Sequence, residues 1–308
     1  MTTPAPTDST TPESLRRGLL AGFGAFAVWG LAPVYWKLLD HVDSLETVCH
    51  RTVWSAVFML AIVWARGLGG QVRAAFADPQ TLLRLTCSAL LIAGNWFLYI
   101  YSVVNDRILE ASLGYFTNPI VSVLLGMTFL GETLTRRRRW AVVLAVVAVV
   151  ILTVRAGSVP WIAVLLASSF GLYGLLRKTV GVAGGVGLTV EAILLSPMCL
   201  AFLGWRGFQG TGAFTPTQPR DAVLLALTGV LTAVPLWWFA DAARRLPLST
   251  VGMLQYLAPS LQFLLAVLVY REPFDTVRLL AFSLIWAACA LFSWPRQTPP
   301  AIPVRLQP

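Results

Sequence analysis

Apolar runs of about 20 residues, the length that crosses a hydrocarbon core of about 30 Å, recur along almost the entire chain. Ten can be read, at residues 18–39, 46–65, 82–104, 109–130, 140–155, 160–176, 188–206, 221–241, 247–270 and 277–294. In lipid no water satisfies an exposed backbone N–H or C=O, so such runs must close their own hydrogen bonds as helices. The composition agrees, with a mean hydropathy of +0.72 and only 12% charged residues, about half the roughly 25% of soluble domains. The fold class is therefore an all-α integral membrane protein with ten transmembrane helices.

Positive residues are retained on the cytoplasmic side. With both termini in the cytoplasm, that side collects Arg16, Arg17, Arg66, Arg73, Arg84, Arg136 to Arg139, Arg177, Lys178, Arg244, Arg245, Arg296 and Arg305. The opposite side holds Arg107, Arg155, Arg206, Arg220, Arg271 and Arg278, while Lys37 and Arg51 fall within spans. The asymmetry supports ten spans and accounts for the net charge of +9 without a nucleic-acid partner. The run "RRRR" at 136–139 reads as a topology anchor.

Residues 1–15, Thr/Pro-rich, are expected to form a disordered tail, and 296–308 a second one. The run after Arg16-Arg17 is too long for the core of an export signal and contains Trp29, Pro33 and Trp36, so it is expected to remain as the first span. The four cysteines show no paired spacing, and no cofactor or metal is expected.

The chain also resembles itself. A shift of 140 residues lays 94–134 over 234–274, with Pro119 on Pro259, Phe116 on Tyr256 and Glu132 on Glu272. "FAVWG" (26–30) matches "FGLYG" (170–174), and "TVCHR" (47–51) matches "TVEAI" (189–193). Two five-helix repeats follow, at 16–156 and 157–295. Because five is odd, the second enters the membrane from the opposite side, which makes an inverted repeat. Secondary transporters are built in this way, with the substrate site near the midplane and interrupted helices marking it. Spans four and nine qualify. Each carries a mid-span proline, Pro119 or Pro259, which removes a backbone donor and pushes away the carbonyl one turn earlier.

The segments "FAVWGLAPVYWK", "HRTVWS", "GNWFLYIYSVVN", "LEASLGYFTNPIVSVLLGMTFLGE" and "STVGMLQYLAPSLQFLLAV" resemble the EamA-type permeases of the drug/metabolite transporter superfamily, RarD branch, over about residues 16–294. That resemblance implies a ten-helix carrier of a bacterial inner (cytoplasmic) membrane, multi-pass, with cytoplasmic termini and a central cavity built from both halves. It implies no particular substrate.

Residues expected to line the cavity are Trp29, Asn95, Trp96, Tyr99, Tyr115, Asn118, Tyr173, Trp237, Gln255, Tyr256 and Gln262. The polar members lie near the two prolines, and the aromatic ones lie deep within spans; helix packing is the competing reading for the aromatics. Other Trp residues, Trp64, Trp140, Trp161, Trp205 and Trp294, suit interfacial anchors. A charge at the bilayer centre costs about 3 kcal/mol on insertion scales, so His50, Arg51 and Glu191 are candidates for coupling or gating. His50 or Glu191 would be the proton-linked group, the alternative being that they snorkel to the headgroups. Lys37 is assigned to the headgroup region. Asp241 is expected to pair with Arg244 and Arg245, and Glu132 with Arg136. Asp106 and Glu110 are placed in a solvated outer loop.

The function expected is secondary, alternating-access transport of a small organic metabolite or drug, with proton-coupled export as its finer form. The partners are that small molecule, protons and the lipid bilayer. The alternative is an intramembrane enzyme acting on a lipid-linked substrate, for which His41 and His50 are poorly placed. A channel is disfavoured, because no charged ring or carbonyl-rich filter motif is visible.

Overall fold

The computed structural model describes residues 11–104, 108–156, 161–269 and 276–293, and they are helical throughout apart from short turns. In chain order the helices are α1 (Pro12–Trp36), α2 (Ser44–Ala65), α3 (Gly69–Ala77), α4 (Pro79–Val104), α5 (Ile108–Leu130), α6 (Arg136–Ala156), α7 (Trp161–Thr179), α8 (Gly184–Phe208), α9 (Pro219–Arg245), α10 (Leu248–Gln255), α11 (Leu257–Leu264) and α12 (Thr276–Ser293). A π-helical turn, Leu265–Val269, extends α11. Five of these, α1, α2, α4, α8 and α9, are long and apolar enough to cross a membrane. Gly114–Leu130 and Leu279–Ser293 are shorter apolar stretches. Large apolar side chains such as Leu20, Phe97, Leu124, Phe129 and Met198 stand exposed on the outside of the bundle, as a lipid-facing surface requires.

Three local features depart from the sequence reading. First, α1 begins at Pro12, inside the expected tail. Thr11 caps it by accepting a hydrogen bond from Ser14 N at 3.2 Å, and Glu13 pairs with Arg17 at 2.6 Å; a hydroxyl cap followed by proline starts a helix well. Residues 1–10 and 294–308 lie outside the described residues, as do Asp106, Arg107, Arg271, Glu272 and Trp294. Second, the link between α2 and α4 folds as the short helix α3. Gly67 ends α2 at φ +65°, and Leu68 N returns to Val63 O at 2.9 Å, which closes a Schellman turn. Third, the ninth apolar run breaks at Tyr256 into α10 and α11. Pro259 sits four residues after Gln255, whose carbonyl its ring displaces.

α1 packs on α9 and α11, α2 on α8 and α9, α4 on α7 and α8, α5 on α7 and α10, and α6 on α12. The α6–α12 contact is lined by Ala141, Ala145, Ala148, Ala281 and Ala288, small residues that let helix backbones approach where lipid offers no hydrophobic drive. A second core, around Phe26, Tyr173, Leu236 and Phe239, ties α1 to α7 and α9.

Several charged residues find partners that spacing alone does not reveal. Glu132 does not pair with Arg136. Its carboxylate accepts from Leu248 N at 2.5 Å and Ser249 N at 3.0 Å, capping α10, because the first N–H groups of a helix lack partners of their own. Asp241 pairs with Arg245 at 2.8 Å. Cys49 of α2 and Cys199 of α8 are free thiols. In the turn between α1 and α2, His41 Nε2 meets Asp221 Oδ2 of α9 at 2.8 Å. That carboxylate raises the imidazole pKa above its usual value.

Candidate functional site

A cavity of about 220 Å³ opens between the helices. α1 contributes Trp29, Pro33 and Trp36; α2 contributes Arg51; α4 contributes Asn95, Trp96 and Tyr99; α5 contributes Tyr115 and Asn118; α7 contributes Phe170. The rest of the wall comes from Phe26 and Ala32 of α1, Ile92 of α4, Leu231 and Leu236 of α9, Gln255 of α10, and Ala258, Pro259 and Gln262 of α11.

The polar groups are held individually. Asn95 Nδ2 donates to Leu166 O and Ser169 Oγ, both at 2.9 Å, which ties α4 to α7. Gln255 Nε2 donates to Ser122 Oγ at 3.0 Å, tying α10 to α5. Gln262 Nε2 donates to Trp29 O at 3.3 Å. Arg51 Nε donates to Thr232 Oγ1 at 3.0 Å, and its guanidinium stands 4.3 Å from the Trp96 ring centre and 5.4 Å from that of Trp36. Asn118 Oδ1 and Gln255 Oε1 are buried with no hydrogen-bond partner among the described residues, an expensive state for an amide.

Eight of the eleven residues expected to line the cavity do so: Trp29, Asn95, Trp96, Tyr99, Tyr115, Asn118, Gln255 and Gln262. Three do not. Tyr173 is fully buried, with its ring 5.7 Å from Phe239 in a stacked pair, so it belongs to the apolar core next to the site. Trp237 packs on Gly184 and Gly185 at the start of α8, with Arg66 5.2 Å from its ring centre. It is packed between α9 and α8, outside the cavity lining. Tyr256 is also buried, and its hydroxyl donates to Phe116 O at 3.2 Å. Pro259 lines the cavity, whereas Pro119 is buried in α5 outside it.

Of the three coupling candidates only Arg51 reaches the cavity. His50 stacks on Phe214 at 5.2 Å and lies 3.8 Å from Glu46, which Arg206 holds at 3.0 Å and Ala213 N at 2.6 Å. Glu191 accepts from Ser88 Oγ at 2.6 Å and Arg177 Nη1 at 3.3 Å. Arg177 also donates to Gly184 O at 2.8 Å, and both members of this ion pair are buried. Neither His50 nor Glu191 snorkels; each is enclosed between helices. The sequence reading missed Glu46 and Ser88 altogether and treated Arg177 and Arg206 as topology charges, since their partners come from distant segments. It also passed over Pro33, Trp36 and Phe170, because an apolar residue in a membrane span carries no mark of facing a cavity.

A helical bundle around a polar and aromatic cavity suits a membrane transporter, and comparison with known proteins supplies the class. Residues 16–154 match the EamA-like transporter family. Protein RarD of Streptomyces exfoliatus is 44% identical over 91% of this chain and 89% of its own. The uncharacterized transporter YojE of Bacillus subtilis is 41% identical over 91% of this chain and 94% of its own. The chloramphenicol-sensitive protein RarD of Pseudomonas aeruginosa is 33% identical over 90% and 94%. A solved crystal structure superposes with a TM-score of 0.68, covering 90% of this chain and 97% of its own at 19% identity, a likeness of fold. The chain belongs to the EamA-like transporter family, in its RarD branch.

Proposed function

We propose that this chain is a secondary carrier that moves a small organic metabolite or drug across the cytoplasmic membrane by alternating access. The observation that carries the reading is the shared cavity: Arg51 and Asn118 come from the first half of the chain, Gln255 and Gln262 from the second.

The two halves are inverted repeats of five spans, 16–156 and 157–295, with both termini cytoplasmic. The pattern of packing supports this. Exchanging each helix for its sequence counterpart turns the α1–α9 contact into α7–α4, α2–α9 into α8–α4, and α5–α7 into α10/α11–α1, and every one of these contacts is present. The pairs α2–α8, α5–α10 and α6–α12 map onto themselves, as elements on a two-fold axis do. Rocking of one repeat against the other about the cavity would expose it to each side in turn.

Proton coupling, with export as the direction, is placed on Glu191. Its Oε1 takes both Ser88 and Arg177, while Oε2 is buried without a partner and is the atom free to take a proton. His50, whose Nε2 lies 3.8 Å from Glu46 and makes no hydrogen bond among the described residues, is the second proton-linked candidate.

Counterflow in proteoliposomes preloaded with a mixed metabolite pool tests the carrier reading. Saturable uptake that needs internal solute is expected; flux that grows linearly with the gradient, without exchange, would sink it.

A further inference from the structure

Arg51 carries a charge that nothing in the cavity balances. Its Nε is engaged by Thr232, its two Nη groups make no hydrogen bond among the described residues, and no described carboxylate lies within ion-pair distance. The titratable side chains that act on it are Tyr99 and Tyr115, both neutral phenols. Trp36 and Trp96 flank the guanidinium, which is half-buried at the cavity wall, and cation–π contact offsets only part of the hydration it loses there. With Nε occupied, the end-on Nη1/Nη2 edge remains, a planar fork that matches a carboxylate.

A second observation points to the same ligand site. Asn118 is 6% exposed and Gln255 5%, both line the cavity, and each has an amide oxygen without a partner. They come from the two opposed repeats. A buried amide oxygen is left unsatisfied only at a cost, and a bound molecule that offers it an N–H or O–H donor would remove it.

We propose that the cargo is a small organic monocarboxylate, its carboxylate held end-on by Arg51 between the two indoles and its body, which carries an N–H or O–H donor, turned toward Trp29, Phe170, Asn118 and Gln255. This rests on the transport reading above and names its class of substrate. A cation is disfavoured by the fixed positive charge. A phosphate monoester, with about −1.5 to −2 charges near neutral pH, would leave excess charge that a single arginine does not neutralise. A cavity of about 220 Å³ falls below the roughly 300–1,000 Å³ of sites for drug-sized ligands, so the molecule is small.

The test titrates the purified full-length chain in detergent with a panel of aryl and alkyl carboxylates that includes hydroxyphenylpropionate and phenylpropionate, and with phenethylamine and phenyl phosphate. Tryptophan fluorescence is the readout, since Trp36 and Trp96 border Arg51, and counterflow is measured in parallel. At least one carboxylate should bind saturably and more tightly than the amine or the phosphate. Arg51→Leu should weaken it about 10- to 100-fold, with Arg51→Lys between, because it keeps the charge and loses the fork. If Arg51→Leu does not run as a single species on gel filtration, Arg51→Lys alone decides.

The inference falls if no carboxylate binds, if phenethylamine binds as tightly, or if carboxylate affinity is unchanged in Arg51→Lys and Arg51→Leu. Counterflow confined to neutral or cationic solutes would overturn the anion class and leave the carrier standing. Arg51-dependent binding without any counterflow would leave the anion site standing and overturn the carrier.

Discussion

Pro119 and Pro259 occupy the same place in two similar segments, yet the helices around them differ. α5 runs unbroken through Pro119 from Ile108 to Leu130. The matching segment stops at Gln255, restarts at Leu257, and ends in the π-helical turn Leu265–Val269. A proline removes one backbone hydrogen bond in either setting, so the difference must come from neighbours. α5 is clamped on two sides. Val121 and Leu125 meet the bare backbone of Gly171 in α7, and Pro119 O and Ser122 meet that of Gly252 in α10. The break at Tyr256 instead turns that ring inward, where its hydroxyl donates to Phe116 O. Phe116 is the residue on which Tyr256 falls under the repeat, and it has no hydroxyl to return the bond. Near-equivalent sequences thus give one rigid wall and one jointed wall around a single cavity.

Substitutions along both walls, and one change of pH, bear on this contrast, taken from the largest expected effect to the smallest. Asn118→Leu on the rigid wall and Gln255→Leu at the joint should each weaken substrate binding about 10- to 100-fold with expression intact. If both bind normally, the cavity does not hold the substrate. Gly252→Ala places a methyl 2.8 Å from Pro119 O and 3.0 Å from Ser122 Cβ. Because a backbone atom cannot step aside, it should cost about 1–3 kcal/mol in thermal unfolding monitored by fluorescence. Gly94→Ala, with nothing within 4 Å, should not destabilise.

Glu132→Ala leaves Leu248 N and Ser249 N without the carboxylate that caps α10. A loss of about 0.5–2 kcal/mol is expected, with faster amide exchange confined to the start of α10. Pro259→Ala restores a backbone donor and should slow amide exchange around Tyr256, whereas Pro119→Ala, in a helix already continuous, should change exchange little. Equal responses would mean that the joint does not depend on its proline.

The smallest effect is expected far from both prolines, at the His41–Asp221 contact. Asp221 raises the His41 pKa above the usual 6.5, so this tie is complete below that value and is lost as the pH rises through the raised one. Amide exchange in residues 37–43 should quicken over that window in the native chain and show no such step in His41→Gln.

Much of the site could be read from the chain. Polar residues in lipid are costly, so Asn95, Asn118, Gln255 and Gln262 stand out against apolar spans, and the repeat pairs the segments around Pro119 and Pro259. All four line the cavity. Aromatic residues gave a weaker signal, because the same ring serves a core or a pocket. Trp29, Trp96, Tyr99 and Tyr115 line the cavity, while Tyr173, Trp237 and Tyr256 are packed elsewhere. Ionisable residues were legible as unusual but not in their roles. Glu132 caps a helix begun 116 residues later, and Arg177 and Arg206 neutralise buried carboxylates.

By itself, then, the sequence determined the helical fold class, the family, and the polar residues that must find partners in an apolar chain. Those follow from the cost of bare polar groups in lipid, which acts locally on each segment. Only the tertiary structure decided which partner each group finds, which of two prolines breaks its helix, and that Arg51 stands in the cavity with no counter-ion among the described residues. Those outcomes depend on which side chains meet across helices, and they are set by packing between segments more than a hundred residues apart, as in the Gln255–Ser122 contact with its separation of 133.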